Sequence, residues 1–341
     1  MQAVPVGIVG ASGYSGLELS RILALHPRAE LRLLGSDKWA GETAARRAGL
    51  PGPAGKLKYA PQDQIVPLAR ECAAIFLATP AEGSLKLAPI LHALGLTVID
   101  LSGAFRLRDP ALYPRFYGFE HVHADLLSRA LYGLPELSRI PQGARLIANP
   151  GCYPTAAALA LAPLIEAGML SADPLIVDAA SGVTGAGRKG SEDFSFAEID
   201  EDFRAYKVLR HQHQPEIAQT LGRPLTFTPH LLPIKRGILA TCYARLAPGR
   251  KAEGLREAYL HKYADAPFVE VLEAPEQVSL KGVAGTNKCQ VAVAADGETV
   301  VAISAIDNLV KGAAGQAVQN LNLAMGWPET TGLDTLRGFH P

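Results

Sequence analysis

The chain has 341 residues, 48% hydrophobic and 19% charged, which is more apolar material than one core usually takes, so two domains are expected. Lys plus Arg and Asp plus Glu both number 33, and this zero formal net charge argues against a nucleic-acid or membrane-surface partner. No apolar stretch can span a bilayer, the N-terminus lacks the basic start and apolar core of a signal peptide, and Cys72, Cys152, Cys242 and Cys289 form no pairwise motif; these features predict a cytoplasmic protein with reduced thiols and no metal site.

Val4 to Val9 reads as a short buried strand running into Gly10-Ala11-Ser12-Gly13-Tyr14-Ser15-Gly16, with a helical pattern from Leu17 to Leu25 behind it. Strand, glycine turn and helix form the frame of a dinucleotide-binding fingerprint. Gly10 permits the turn, Gly13 lets the backbone approach a pyrophosphate, and Gly16 lets the helix pack on the strand. A second strand, Ala29 to Leu34, ends in Gly35-Ser36-Asp37-Lys38, where the adenosine ribose is read. Ser36 and Lys38 suit a 2′-phosphate, and Asp37 suits a free hydroxyl; the reading favours NADP. Gly49 to Pro61, rich in Gly and Pro, is expected to be a surface loop.

Cys72 to Ala78 is a continuous apolar strand of the parallel-sheet type. Its end, Thr79-Pro80, should flank the cofactor. A helix over Leu85 to Leu94 and a strand over Thr97 to Leu101 continue the βαβαβ alternation, so residues 1–148 read as a doubly wound, Rossmann-type parallel sheet. Behind that strand, the loop from Ser102 to Arg108 carries Arg106 and Arg108, either of which can clamp a carboxylate or phosphate.

Asn149-Pro150-Gly151-Cys152-Tyr153-Pro154-Thr155 sets a cysteine between turn-formers at the head of the apolar run Ala156 to Ala167. A thiol at a helix N-terminus is favoured as thiolate by the unpaired N–H groups and the helix dipole, and the same N–H groups can hold an oxyanion. The alternative is a small buried hydrophobe. Leu175 to Ala180 then reads as a strand. It ends in Ser181-Gly182-Val183-Thr184-Gly185-Ala186-Gly187-Arg188-Lys189, a second glycine-rich loop able to approach a cofactor or an anionic substrate. Ser191 to Arg204 is a polar, acidic excursion. His211-Gln212-His213-Gln214-Pro215 leads into a helix, and either histidine can serve Cys152 as acid/base. Further strands at Leu225 to Ile234, Gly237 to Arg245, Phe268 to Leu272, Gln290 to Ala294 and Thr299 to Ile303, with a helix over Glu253 to Tyr263, make residues 149–306 an α+β catalytic and dimerisation domain with a largely antiparallel sheet. Residues 307–341 should turn helical and return to the first domain.

A nucleotide-binding domain followed by a nucleophilic cysteine and a histidine suits one reaction class: an acyl group held as a thioester while hydride passes between its carbonyl carbon and a nicotinamide. A nucleotide-binding regulator would not need Cys152, and a cysteine hydrolase would not need the glycine fingerprint.

Together, Gly10 to Gly16, Asp100 to Leu107, Asn149 to Thr155, Ser181 to Arg188, His211 to Ile217 and Asp307-Asn308-Leu309-Val310-Lys311-Gly312 resemble the N-acetyl-γ-glutamyl-phosphate reductases of arginine biosynthesis, in the family's order and over essentially the whole chain. The resemblance implies NADPH-dependent reduction of N-acetyl-glutamyl 5-phosphate to the semialdehyde with release of phosphate, an architecture like that of aspartate-semialdehyde dehydrogenase, and a homodimer or homotetramer. It implies that Cys152 is the nucleophile, that His213 or His211 is the acid/base, with His213 favoured because it lies nearer the helix start, and that Arg106 faces substrate. Asn149 and Ser181 would line the same cleft, and Asn308 would lie near the nicotinamide. Two departures stand out: Gln212 replaces an arginine common between the histidines, and Thr79-Pro80-Ala81-Glu82 lacks the histidine of many members. The sister reductase of lysine biosynthesis and aspartate-semialdehyde dehydrogenase are the alternatives; Pro150 and Tyr153-Pro154-Thr155 argue for the arginine branch.

Overall fold

The structure, a computed structural model, describes residues 3–188, 192 and 195–336. These fall into two compact units, one of residues 3–150 with 313–336 and one of residues 151–312.

The first unit is built on a seven-stranded sheet of β1 (Val4–Val9), β2 (Ala29–Gly35), β3 (Tyr59–Ala60), β4 (Ala74–Leu77), β5 (Thr97–Asp100), β6 (Leu131–Tyr132) and β7 (Leu146–Ala148), in the order β3-β2-β1-β4-β5-β7-β6. Every pairing is parallel. Parallel strands bury both faces, and β4 (AIFL) and β5 (TVID) are buried at every position, as continuous apolar runs demand. The helices α1 (Tyr14–Ala24) and α2 (Ala81–Ala93) follow β1 and β4. Strand order reverses between β1 and β4, which opens a crevice at their carboxyl ends.

Gly49 to Pro61 is not the irregular loop that its composition suggests. A short helix, Gly52–Lys56, follows Pro51, and β3 adds to the sheet edge. Tertiary packing outweighs local propensity here: a side chain on Gly55 would meet the Leu50 carbonyl at 2.3 Å, and the buried Tyr59 ring packs edge-on against Trp39.

The second unit wraps a seven-stranded mixed sheet around α3 (Cys152–Glu166). Its strands are β8 (Leu175–Gly182), β9 (Arg204–Ala205), β10 (Leu225–Leu232), β11 (Ile238–Arg245), β12 (Val269–Val271), β13 (Cys289–Asp296) and β14 (Thr299–Ile306), in the order β12-β13-β14-β11-β8-β10-β9. Four of its six pairings are antiparallel. The strands β10 and β11, consecutive in sequence, do not pair; β8 lies between them, parallel to β10 and antiparallel to β11. Two further helices, α4 (His213–Leu221) and α5 (Glu253–Lys262), pack against α3.

Helix α3 is buried from Tyr153 to Leu164, and its run of alanines lets it lie close to the sheet. Pro163 lacks the N–H that would reach the Leu159 carbonyl; the phenol of Tyr263 donates to that carbonyl instead, at 2.6 Å.

The helix expected from Asp307 onward begins instead as a π-helical turn, Val310–Ala314, before α6 (Gly315–Ala324). The Gly312 N–H bonds to the Asp307 carbonyl five residues back, and the Asp307 carboxylate accepts from the N–H groups of Leu309 and Val310.

Candidate functional site

In the first unit, the crevice between β1 and β4 carries the glycine turn. Gly10 has φ +85°, and a Cβ there would sit 2.4 Å from the Ala78 carbonyl; one on Gly16 would sit 2.3 Å from the Gly10 carbonyl. Both glycines are demanded by packing. Gly13 is different, because its nearest neighbour would be an ordinary 3.5 Å away. Nothing in the fold requires a glycine at 13, so its missing side chain leaves room for something else. It is the N-cap of α1, no side chain caps it, and the first turn, with Tyr14, Ser15 and Gly16, holds no acidic residue. Uncapped N–H groups facing an open approach suit a pyrophosphate.

Beyond β2, the Ser36 hydroxyl donates to Ser12 at 2.8 Å, joining the glycine turn to the ribose-reading segment. Asp37 accepts from the Gln62 N–H at 2.7 Å, so one of its oxygens anchors the chain around β3, while Lys38 is exposed. This division of labour suits a ribose bearing a phosphate better than one bearing a free hydroxyl. Thr79, bonded to Ser84 at 2.9 Å, and Pro80, the N-cap of α2, stand at the carboxyl end of β4.

Three more candidates in this unit have internal partners. The Ser102 hydroxyl donates to the buried Asp100 carboxylate at 2.9 Å and accepts from the Ala104 N–H. Burial raises the Asp100 carboxyl above its usual range, against the pull of hydrogen bonds from Ser84 and Ser102 and the charge of Arg106. Arg106 donates to the Asn149 and Leu101 carbonyls at 2.8 and 2.6 Å. The Asn149 amide donates to the Ala313 carbonyl and accepts from Asn320. Each of these side chains holds backbone in place.

The second unit gathers Cys152, His211 and His213. Cys152 is the first residue of α3, behind an uncapped Gly151, and is half-buried, whereas Cys72, Cys242 and Cys289 are buried and the thiols of Cys72 and Cys242 are pushed up by burial. The π turn presses on it: a Cβ on Gly312 would come within 2.8 Å of the Cys152 Cβ. The two histidines meet because the chain turns at Gln212 (φ −60°, ψ −19°), which starts α4 at His213. Their rings lie 4.7 Å apart, and the His213 N–H donates to His211 Nδ1 at 3.1 Å. His211 is walled by Tyr153, Tyr206 and Phe227, and burial, followed by the charge of Lys207, pushes its imidazole down to about 3. At neutral pH it is therefore uncharged. The Tyr153 ring also meets His213, and its hydroxyl accepts from Tyr206 at 3.1 Å and donates to the His230 carbonyl.

Two acidic residues were not singled out from sequence. Glu216, fully buried in the first turn of α4, accepts from the Gly151 N–H at 2.8 Å and so ties the histidine helix to the turn that carries Cys152. A carboxylate three residues after His213 in a helix's first turn was the available signal. Asp307 forms a bidentate pair with Arg236 (2.8 and 3.1 Å) and also accepts from the Gly285 N–H. Beside it, Asn308 accepts from the Gly237 N–H at 2.7 Å and donates to Thr184 at 3.0 Å, pinning the loop that follows Ser181 and Gly182. Arg188 is exposed at the end of that loop; Lys189 lies outside the described residues.

This architecture, a glycine-turn nucleotide unit followed by a cysteine and histidine unit, is that of the semialdehyde dehydrogenases. Residues 5–141 match the family described as semialdehyde dehydrogenase, NAD binding domain, and residues 152–308 match semialdehyde dehydrogenase, dimerisation domain. The fold is similar to that of aspartate semialdehyde dehydrogenase II from Vibrio cholerae, with a TM-score of 0.72 and 19% identity over 94% of this chain and 98% of that one. The N-acetyl-gamma-glutamyl-phosphate reductase of Symbiobacterium thermophilum is 46% identical over 340 residues, covering 97% of each chain. That of Pelotomaculum thermopropionicum is 46% identical over 341 residues, covering 97% of this chain and 98% of its own. The chain belongs to the N-acetyl-gamma-glutamyl-phosphate reductase family. Among the described residues, no helix is long and apolar enough to cross a membrane.

Proposed function

We propose that this chain reduces N-acetyl-L-glutamyl 5-phosphate to N-acetyl-L-glutamate 5-semialdehyde with NADPH, releasing phosphate, as a step of arginine biosynthesis. The observation that carries the reading is a half-buried cysteine at an uncapped helix N-terminus, in one unit with a histidine pair.

The Cys152 sulfur attacks the acyl carbon, and the N–H groups at the start of α3 receive the charge that develops on the carbonyl oxygen. The carbon–oxygen bond to phosphate then breaks, its electron pair leaving with the phosphate, and the acyl group rests on sulfur as a thioester. Gly10, Ser12, Gly13, Tyr14, Ser15, Gly16, Ser36, Lys38, Thr79 and Pro80 would hold NADPH, which would supply a hydride to the thioester carbon; the carbon–sulfur bond would then break, freeing the aldehyde and returning its electron pair to the Cys152 sulfur. His213 moves the proton. His211 is too buried to carry charge near neutrality, and by accepting from the His213 backbone it holds the turn that presents its neighbour. Glu216 holds Gly151, and through it the start of α3.

The units divide the work, with residues 3–150 and 313–336 binding cofactor and the unit within 151–312 carrying chemistry and dimerisation. The assembly is a homodimer or homotetramer in the cytoplasm. The deciding experiment follows nicotinamide absorbance during phosphate-dependent oxidation of the semialdehyde. Cys152→Ser should lose on the order of a thousandfold or more in turnover while binding NADP as before. An active serine variant would refute the thioester route.

A further inference from the structure

One carboxylate of the second unit is bonded far beyond what its place at the end of a strand requires. Asp307 follows β14 and is fully buried. Its oxygens take the Arg236 guanidinium at 2.8 and 3.1 Å, the Gly285 N–H at 2.6 Å, and the N–H groups of Leu309 and Val310 at 2.8 and 3.2 Å. The π turn that follows is thus held at both ends by one residue. The carboxylate grips its leading N–H groups, and the Asp307 carbonyl takes the Gly312 N–H at 2.9 Å, one residue later than the Lys311 N–H that an α-helix would offer it. Lys311 is itself fully buried, with Nζ 5.6 Å from the centre of the Phe268 ring, so the turn is fastened there as well.

The extra residue brings the Gly312 backbone against the cysteine: a Cβ on Gly312 would lie 2.8 Å from the Cys152 Cβ and 3.3 Å from both the Cys152 Cα and the Ile306 side chain. Backbone N–H groups at the start of α3 favour the thiolate only while the sulfur stays beside them. A wall of backbone at the Cα and Cβ limits where that side chain can go, and displacing a reacting group by about 1 Å costs on the order of a hundredfold in rate. We propose that Asp307 is a positioning residue for catalysis: by setting the π turn it holds the Gly312 backbone against Cys152 and so keeps the sulfur at the start of α3. The assignment rests on the thioester reading above.

The test is a double-variant cycle of Asp307→Asn and Gly312→Ala, read by kcat for phosphate-dependent oxidation of the semialdehyde and by the pH midpoint of Cys152 alkylation with iodoacetamide, followed by mass spectrometry. The amide keeps the shape of Asp307 but turns a donor toward N–H groups that need an acceptor; the alanine leaves those bonds alone and crowds the contact itself. Each variant should lose about tenfold or more in kcat and raise the alkylation midpoint by about half a pH unit or more. Because both act on one contact, the double variant should lose little more than the worse single one. Losses that multiply in the double variant, or a midpoint that stays at the wild-type value while kcat falls, overturn the assignment. If Asp307→Asn does not fold, Gly312→Ala alone reads the contact by the same two measurements. The midpoint is read without substrate, so the two readings fail separately: an active Cys152→Ser enzyme refutes the thioester route and this assignment with it, whereas an unmoved midpoint refutes this assignment alone.

Discussion

His211 and His213 are two residues apart and chemically identical, yet their surroundings give them different work. Burial depresses the His211 imidazole to about 3, so between that pH and the ordinary value near 6.5 the unfolded chain takes up a proton that the folded chain refuses. Stability is therefore full above about pH 6.5 and is lost as pH falls toward 3, at up to about 1.4 kcal/mol per pH unit from this residue. His26 and His121, also lowered by burial, add to the slope, so the informative experiment is a difference. His211→Asn, whose side-chain oxygen can still accept from the His213 N–H, should show a shallower loss of urea midpoint between pH 7 and pH 5 than wild type. It should also keep more turnover than His213→Asn. Equal slopes would mean that His211 is not held neutral. At this scale the residue types were legible in sequence, and the burial that separates the histidines was not: it comes from Tyr153 and Phe227, which only the fold brings to His211, together with the nearby Tyr206. Glu216 and Asp307 were missed for the same reason, since their partners, Gly151 and Arg236, are far away in sequence.

Elements were read well where one periodicity ran uninterrupted, as in β1, β4, β5 and α1, and less well where a local rule was broken and repaired from outside. Helix α3 shows the repair. Proline at 163 should cost the helix a hydrogen bond, but Tyr263 reaches over from the end of α5 to fill the vacancy at Leu159. Tyr263→Phe should therefore cost about 1 to 3 kcal/mol, the penalty of a buried carbonyl left without a donor. In a Pro163→Ala background the helix supplies its own N–H at this point, and the same tyrosine substitution should cost measurably less. Denaturant midpoints for the four proteins of that cycle give the coupling, and its absence would show that Tyr263 contributes by packing alone. The π turn is the opposite case. Sequence predicts plain helix from Asp307, but contact of Gly312 with Cys152 and the grip of the Asp307 carboxylate on the next N–H groups set a wider turn. Neither constraint leaves a periodic trace.

The chain passes from the first unit to the second after Pro150 and returns after Gly312, so the nucleotide unit is closed by a segment that follows the whole of the second unit in sequence. That closure is polar. Asn320 donates to the Gly133 carbonyl and to Asn149, the His26 ring bonds Asn322 at 3.0 Å, and Gln319 donates to Glu136, all from an α6 whose Gln319, Asn320 and Asn322 are fully buried. Hydrophobic patterning gives little warning of such a helix, because four of its nine buried residues are amides. Its removal also strips partners from groups that stay behind: the Gly133 carbonyl, the Asn149 side chain and His26 would each need water or pay about 1 to 3 kcal/mol. Three such losses approach the whole stability of an ordinary domain, about 5 to 15 kcal/mol. A chain ending at Gly312 should therefore fail to bind NADPH, and its residues 3–150 should be cleaved by protease much faster than in the full chain. If the truncated protein binds NADPH with wild-type affinity, the first unit stands without α6, and the buried amides are passengers rather than its closing contacts.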